Sequence, residues 1–104
     1  ENALSVGKYF LNKLEKIKNK NKKYISEVRG RGLFLGIDII RDSNELKPNK
    51  QLAKKIINFM RDKGILLSTD GPYDNVIKIK PPLVFNKENV DNVCENLDSF
   101  FKKI

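Results

Sequence analysis

Histidine and tryptophan are absent from this chain, and Cys94 is its single cysteine. Without histidine there is no Ser–His or Cys–His pair for nucleophilic catalysis and no imidazole ligand for a metal. A single cysteine excludes an internal disulfide and fits a reducing compartment, so we expect a cytoplasmic protein. Cys94 lies within a helical pattern, and we interpret it as a small packed hydrophobe rather than a reactive thiol.

Long apolar runs are also missing. No segment approaches the ~18 apolar residues that a membrane-spanning helix needs, and we expect neither a signal peptide nor a membrane partner. With 104 residues, of which 39% are hydrophobic, the chain suffices for one domain with a modest core. Because it begins with Glu1 instead of Met, we expect it to be part of a longer or processed polypeptide.

The formal net charge is +8, and residues 1–31 hold nine Lys and Arg against three Asp and Glu. Such a basic lobe is typical of nucleic-acid binding, and a freestanding basic α+β module of that kind remains an alternative. Lysine outnumbers arginine 17 to 4, however, whereas specific phosphate and base contacts favour arginine. The segment Arg31–Gly36 also offers leucine where an RNA-recognition fold needs stacking rings. We therefore expect no nucleic-acid partner.

Hydrophobic periodicity predicts three helices. The first covers Ala3–Lys18, with apolar positions that recur every three or four residues. The second follows Pro48 and ends near Gly64, a suitable C-terminal cap. The third begins at Asn86, a suitable N-terminal cap. Their predicted buried stripes are Ala3, Gly7, Phe10, Leu14 and Ile17; Leu52, Ile56 and Met60; and Val90, Val93, Leu97, Phe100 and Phe101.

Three strands are predicted, at Leu33–Ile40, Ile65–Thr69 and Val76–Lys80, with Pro81 and Pro82 ending the last. Only Asp70–Asn75 separates the second strand from the third, too few residues for a parallel crossover, so these two strands must be antiparallel neighbours.

The predicted order is α-β-α-β-β-α. It indicates an α+β two-layer sandwich with a mostly antiparallel sheet of three to four strands covered by helices. Residues 1–23 would form a lead-in helix and residues 24–104 the sandwich itself.

Glycines precede the first predicted strand, but they do not form a nucleotide-binding loop. The spacing of Gly30, Gly32 and Gly36 differs from GxGxxG, and they lead into a strand instead of a helix. We interpret them as glycines at the entry to the sheet, where the chain bends or the backbone packs closely.

The last predicted strand carries the candidate site. Alternation places Lys78 and Lys80 on one face and the intervening isoleucines on the other. A lysine ammonium beside Ser68, Thr69 and the backbone around Gly71 could bind a carboxylate or a phosphate. A solvated sheet face is the alternative interpretation of the two lysines.

Asp70 and Asp74 share the loop before this strand. Two carboxylates without further oxygen ligands are weak grounds for a cation site, and turn geometry explains them better. We therefore predict no metal site.

Three segments together resemble the C-terminal small domain of class III aminotransferase-like enzymes, which are pyridoxal-phosphate (PLP) proteins of fold type I. They are ENAL at residues 1–4, VRGRGL with GID at residues 28–38, and KIKPPL at residues 78–83. Within the class, LLSTDGP at residues 66–72, followed by NV at residues 75–76 and KIKPP at residues 78–82, is most similar to the phospho-lyase branch, which includes ethanolamine-phosphate and 5-phosphohydroxy-lysine phospho-lyases. A small-molecule regulatory domain that dimerises through its sheet remains a third hypothesis.

The resemblance implies that this domain forms one wall of an active-site cleft. The substrate would be a small amine or a phosphorylated amine, contacted by Lys78, Thr69, Asp70 and Gly71, and the reaction either transamination or phosphate elimination. It implies no catalytic or PLP-binding residue in this chain, since the Schiff-base lysine would belong to a large domain of the same polypeptide. The complete enzyme would be a homodimer and the isolated chain inactive. Lys78 stands where ω-aminotransferases have an arginine, and lysine lacks the fork that grips a carboxylate.

Overall fold

The structure, a computed structural model, describes residues 2–31, 34–41, 46–80 and 85–104, apart from the side chains of residues 2–4 and 31. The helices in these ranges are α1 (Asn2–Lys20), α2 (Lys50–Asp62) and α3 (Lys87–Lys102). The strands are β1 (Ile25–Arg31), β2 (Phe34–Ile39), β3 (Ser68–Asp70) and β4 (Val76–Ile79). Gly32, Leu33, most of the charged loop after β2, and the predicted stop at Pro81 and Pro82 lie outside the described residues.

The four strands form one sheet in the order β1-β2-β4-β3, and each neighbouring pair is antiparallel. The predicted α+β class and the predicted antiparallel neighbours are therefore confirmed. The predicted element order was wrong in one respect, because it lacked β1; the observed order is α-β-β-α-β-β-α.

One face of the sheet packs against the helices. The inward side chains of β2 and β4 are almost fully buried and share a single core with side chains from all three helices. These strand residues are Leu35, Ile37, Ile39, Ile77 and Ile79. Complete burial of such a side chain contributes about 1.5–3 kcal/mol, so the helical layer is the main source of stability for the sheet.

The helix stripes were predicted almost completely. In α2 and α3 every predicted position is buried. In α1, Val6 is buried with Phe10, Leu14 and Ile17, whereas Gly7 adjoins open space. Because α1 contributes to the same core as the sheet, it forms part of the helical layer.

A β-bulge explains why β1 was missed. The register between β1 and β2 shifts between Ile25 and Glu27, so that Ile25 and Val28 are both buried although they are three residues apart. An odd spacing between inward residues breaks the period-2 pattern by which a strand is recognised.

The residues at the helix ends act as predicted. Gly64 has φ +82°, its amide donates to the carbonyl of Arg61, and the next amide donates to that of Met60, which forms a Schellman motif. Asn86 and Asn89 exchange side-chain and backbone hydrogen bonds at the start of α3. These caps determine where β3 and α3 begin relative to the sheet.

Two further predictions concern single residues. Cys94 is buried in α3, and burial raises the pKa of its thiol to about 12, which confirms the packed-hydrophobe interpretation. A side chain at Gly30 would lie 3.1 Å from Leu35 and 3.3 Å from Leu11 of α1, so the backbone does approach its neighbours closely there.

A polar cluster joins α1 to α3 on the outside of the helical layer. The Tyr9 hydroxyl donates to Asp91 Oδ1 at 2.6 Å, and Lys13 Nζ donates to the same oxygen at 2.8 Å. Hydrogen bonds from Lys13 and Tyr9 hold the pKa of the Asp91 carboxyl below its ordinary value of 3.8. The ionised carboxylate is therefore the form that stabilises the fold.

We expect Asp91→Asn to lower the free energy of unfolding at pH 7. The pKa of Asp91 is lower in the folded state than its ordinary value of 3.8. The difference in unfolding free energy between the wild type and the variant should therefore be complete above pH 3.8. It should disappear as the pH falls through the lower pKa of the folded state. Urea denaturation of both proteins between pH 7 and pH 3 measures this difference. Glu95→Gln, the same charge change on an exposed part of α3, is the control. A wild-type advantage independent of pH would contradict the assignment.

Candidate functional site

The outer face of the sheet carries the candidate site, and we call it the open face. Its described members follow from the register of the three strand pairs, in which opposed residues lie on the same side of the sheet. They are Glu27, Arg29, Phe34, Gly36, Asp38, Ser68, Asp70, Val76 and Lys78, with Lys80 continuing the alternation. All are exposed or half-buried, in contrast to the inward residues.

Lys78 lies on the central strand β4, where the predicted alternation is confirmed. Its strand neighbours Ile77 and Ile79 are 0% and 3% exposed, which anchors the backbone on both sides of the lysine. Directly across the sheet, Lys78 is paired with Ser68 of β3 and Gly36 of β2. Because β4 is bonded on both edges, the position of the Lys78 backbone is well determined.

The Lys78 ammonium has two neighbours. It lies 3.9 Å from Asp70 Oδ2, beyond hydrogen-bond distance, with both side chains substantially exposed. It also lies 4.8 Å from the centre of the Phe34 ring, a cation–π distance. An exposed ion pair of this length is weak, so the Lys78 ammonium remains accessible to a second anion.

Arg29 is the other cation at the centre of the open face, and it is strongly paired. Its guanidinium donates to both carboxylate oxygens of Asp38, at 2.7 and 2.9 Å, and to Glu27 at 3.0 Å. The hydrogen bond to Asp38 is the main reason why the pKa of Arg29 is raised. A bidentate pair of this kind occupies the fork that would otherwise bind a carboxylate ligand.

A shallow depression of about 290 Å³ lies between these groups. Gly36 is part of its wall, together with Arg29, Phe34, Asp70 and Lys78. An added Cβ at Gly36 would meet only Val76 at 3.4 Å and Arg29 at 4.0 Å. The missing side chain therefore leaves room beside Lys78, and the size of the depression suits a small polar molecule.

The loop between β3 and β4 is held against β2. Asn75 donates from its amide side chain to the carbonyl of Ile39, and its own carbonyl accepts from the Ile39 amide. Gly71 has φ +87° and Asp74 has φ +51°, a conformation common in tight turns. The loop thereby places Asp70 beside Lys78.

The structure brings together some of the predicted site residues and separates others. Asp70 and Lys78 share the open face with Ser68, and Gly71 follows at its edge. Thr69 is opposite Ile77 and thus points towards the helical side, away from Lys78. Sequence reasoning did not assign Phe34 or the Arg29–Asp38 pair to the site, since both depend on strands whose pairing was unknown.

The two carboxylates of the loop between β3 and β4 lie apart. Asp74 lies 3.8 Å from Lys50 of α2, whereas Asp70 faces Lys78, so the two carboxylates do not converge. No group of three potential metal ligands occurs among the described residues. Within the same ranges no charged or polar side chain is buried. No helix in the described part of the chain is long and apolar enough to cross a membrane.

The sequence matches one family of known proteins. The family model described as aminotransferase class-III matches residues 1–101. The chain therefore belongs to the class-III aminotransferase family, whose members are PLP enzymes.

Curated relatives include proteins named as an aminotransferase and as a phospho-lyase. The chain is 44% identical over 92 residues to an alanine–glyoxylate aminotransferase 2-like protein of Drosophila melanogaster, covering 88% of this chain and 18% of the relative. It is 41% identical over 102 residues to the ethanolamine-phosphate phospho-lyase homolog 1 of Caenorhabditis elegans, covering 94% of this chain and 22% of the relative.

Among solved structures, the chain is similar to a phospholyase from Arthrobacter in complex with phosphoethanolamine. The identity is 41% and the TM-score 0.91, and the match covers 99% of this chain and 24% of that chain. The chain thus spans about a fifth of the length of the curated relatives it matches.

We expect Gly71→Ala to destabilise the fold by about 1–2 kcal/mol, because φ is +87° there and an added Cβ would lie 3.2 Å from Val76. Gly7→Ala in α1 is the matched control, since nothing lies within 4 Å of its added Cβ. It should stabilise the helix by about 0.5–1 kcal/mol. Chemical denaturation of both variants measures the difference. Equal effects of the two substitutions would rule out a special geometry at Gly71.

Proposed function

We propose that this chain forms one wall of the active-site cleft of a PLP-dependent class III enzyme, with the open face turned towards the substrate. The substrate would be a small amine or a phosphorylated amine, and the reaction transamination or phosphate elimination. The observation that carries the proposal is the family match over residues 1–101, combined with a sheet face that presents an incompletely neutralised lysine.

The role proposed for Lys78 is to contact an anionic group of the substrate. Asp70 lies beside the ammonium and would tune its charge, and the backbone of Gly71 would contribute at the rim of the cleft. Thr69, on the other face of the sheet, would act only through the shape of the loop. The similarity to a phospholyase bound to phosphoethanolamine supports a phosphate as the anion.

PLP would be bound elsewhere, by a large domain of the same polypeptide. Two observations support this: no described side chain offers a buried lysine or carboxylate, and the relatives are about five times longer than this chain. When bound, PLP supplies an electron sink for reactions at the substrate amine. This chain would contribute only the orientation and the electrostatic environment of the substrate, so we expect it to be inactive alone. The full polypeptide would act as a homodimer.

We also propose a cytoplasmic location. The one cysteine is buried and has a raised pKa, which suits a compartment where disulfides do not form.

The first prediction for the whole enzyme concerns Lys78. In the full polypeptide that carries this chain, Lys78→Ala should lower kcat/KM for phosphoethanolamine at least tenfold, because a hydrogen bond to a charged group contributes about 1.5–3 kcal/mol. Folding should be little affected, since the side chain is 41% exposed. Phosphate release, followed by a colorimetric assay, measures the rate.

Lys55→Ala is the control for that measurement. Lys55 lies on the exposed side of α2, so its substitution removes the same charge from the helical face. Unchanged kinetics in Lys78→Ala would remove Lys78 from the site. If the wild-type polypeptide releases no phosphate but transfers its amino group to a keto acid, the enzyme is an aminotransferase.

A further inference from the structure

The aromatic ring of Phe34 has an environment that the proposed role of Lys78 does not explain. The side chain is 40% exposed on the open face, an unusual position for a large apolar ring next to solvent. Lys78 Nζ lies 4.8 Å and Lys80 Nζ 5.4 Å from the centre of this ring. Two cations therefore share one aromatic side chain.

Strand pairing accounts for this arrangement. Leu35 is opposite Ile79, so the antiparallel register places Phe34 opposite Lys80 and diagonal to Lys78. Both lysines are on the same side of β4, two residues apart, and their like charges repel. The electron-rich ring offsets this repulsion and restrains two flexible side chains that would otherwise separate into solvent.

The remaining charges of the open face leave these two lysines as its positive centre. Arg29 is engaged by Asp38 and Glu27 at hydrogen-bond distance. Lys78 has only the 3.9 Å contact to Asp70, and no carboxylate contacts Lys80 among the described residues. Two adjacent ammonium groups suit a phosphate, which carries up to two negative charges, better than a carboxylate, which is best held by an arginine fork.

We propose that Phe34 is a positioning residue that holds Lys78 and Lys80 together as one binding site for the phosphate group of a phosphorylated amine. This inference rests on the proposed function, and it adds Lys80 and Phe34 to the substrate site. It also favours a phosphorylated amine over an amine that carries only a carboxylate, since two adjacent ammonium groups suit a doubly charged anion.

Two measurements test the proposal. The first is titration of this 104-residue chain with inorganic phosphate, and separately with acetate at constant ionic strength, followed through the NMR shifts of the lysine side chains. The second is the KM and kcat of the full polypeptide for phosphoethanolamine. The variants are Phe34→Leu, Phe34→Tyr and Lys80→Ala, with Lys55→Ala as the control on α2.

We expect phosphate to bind Phe34→Leu about two- to fivefold more weakly than the wild type, because the variant loses a partly exposed cation–π contact. Phe34→Tyr keeps an aromatic face and should restore wild-type affinity. Lys80→Ala should also weaken binding, Lys55→Ala should not, and acetate should bind all variants equally. In the full polypeptide, Phe34→Leu should raise KM while kcat changes little, which a general loss of structure would not produce.

The proposal is overturned if Phe34→Leu and Lys80→Ala bind phosphate as tightly as the wild type, or if acetate binds as well as phosphate. Should Phe34→Leu fail to fold, Lys80→Ala still decides the outcome, since Lys80 is exposed. Failure of the proposed function gives another result. The full polypeptide then has no PLP-dependent activity, although the phosphate titration of the 104-residue chain gives the expected result. If Lys78→Ala raises KM while Phe34→Leu and Lys80→Ala do not, only the present inference fails.

Discussion

The arrangement of this molecule depends on the burial of one face of an antiparallel sheet. The inward residues of β2 and β4 are almost inaccessible to solvent and pack in the same core as the three helices. Side chains alternate along a strand, so every other residue must then lie on the opposite side. A strand of apolar residues interrupted by lysines satisfies this requirement only when the lysines point outwards. The open face is thus a direct consequence of how the core is built.

This constraint also protects the candidate site. A slip of one residue between β4 and its neighbours would bury Lys78 and expose Ile77. The free energy needed to bury that charge would exceed the stability of a small domain. The Asn75 hydrogen bonds to Ile39 hold the adjoining loop in the same register. The Lys78 backbone is therefore held in one register, although its side chain is partly exposed.

Most of the fold could be predicted because its elements follow simple periods. The stripes of α2 and α3, the caps at Gly64 and Asn86, and the outward position of Lys78 all follow from local patterns. The missed strand β1 contains a bulge, and a bulge places two apolar residues at an odd spacing. The strand predicted at Ile65–Thr69 is observed only at Ser68–Asp70, because Ile65 and Leu67 pack against the core without joining the ladder.

By itself, the sequence determined the α+β class, the antiparallel pairing of the last two strands, the family, and the face on which Lys78 lies. These properties depend on residues close together in the chain, where periodicity, loop length and motif spacing act directly. Only the tertiary structure decided that Thr69 faces away from Lys78, that Arg29 is engaged by Asp38, and that the Phe34 ring lies near both Lys78 and Lys80. Each of these depends on the register between strands that are distant in sequence, and register is selected by the packing of the whole core.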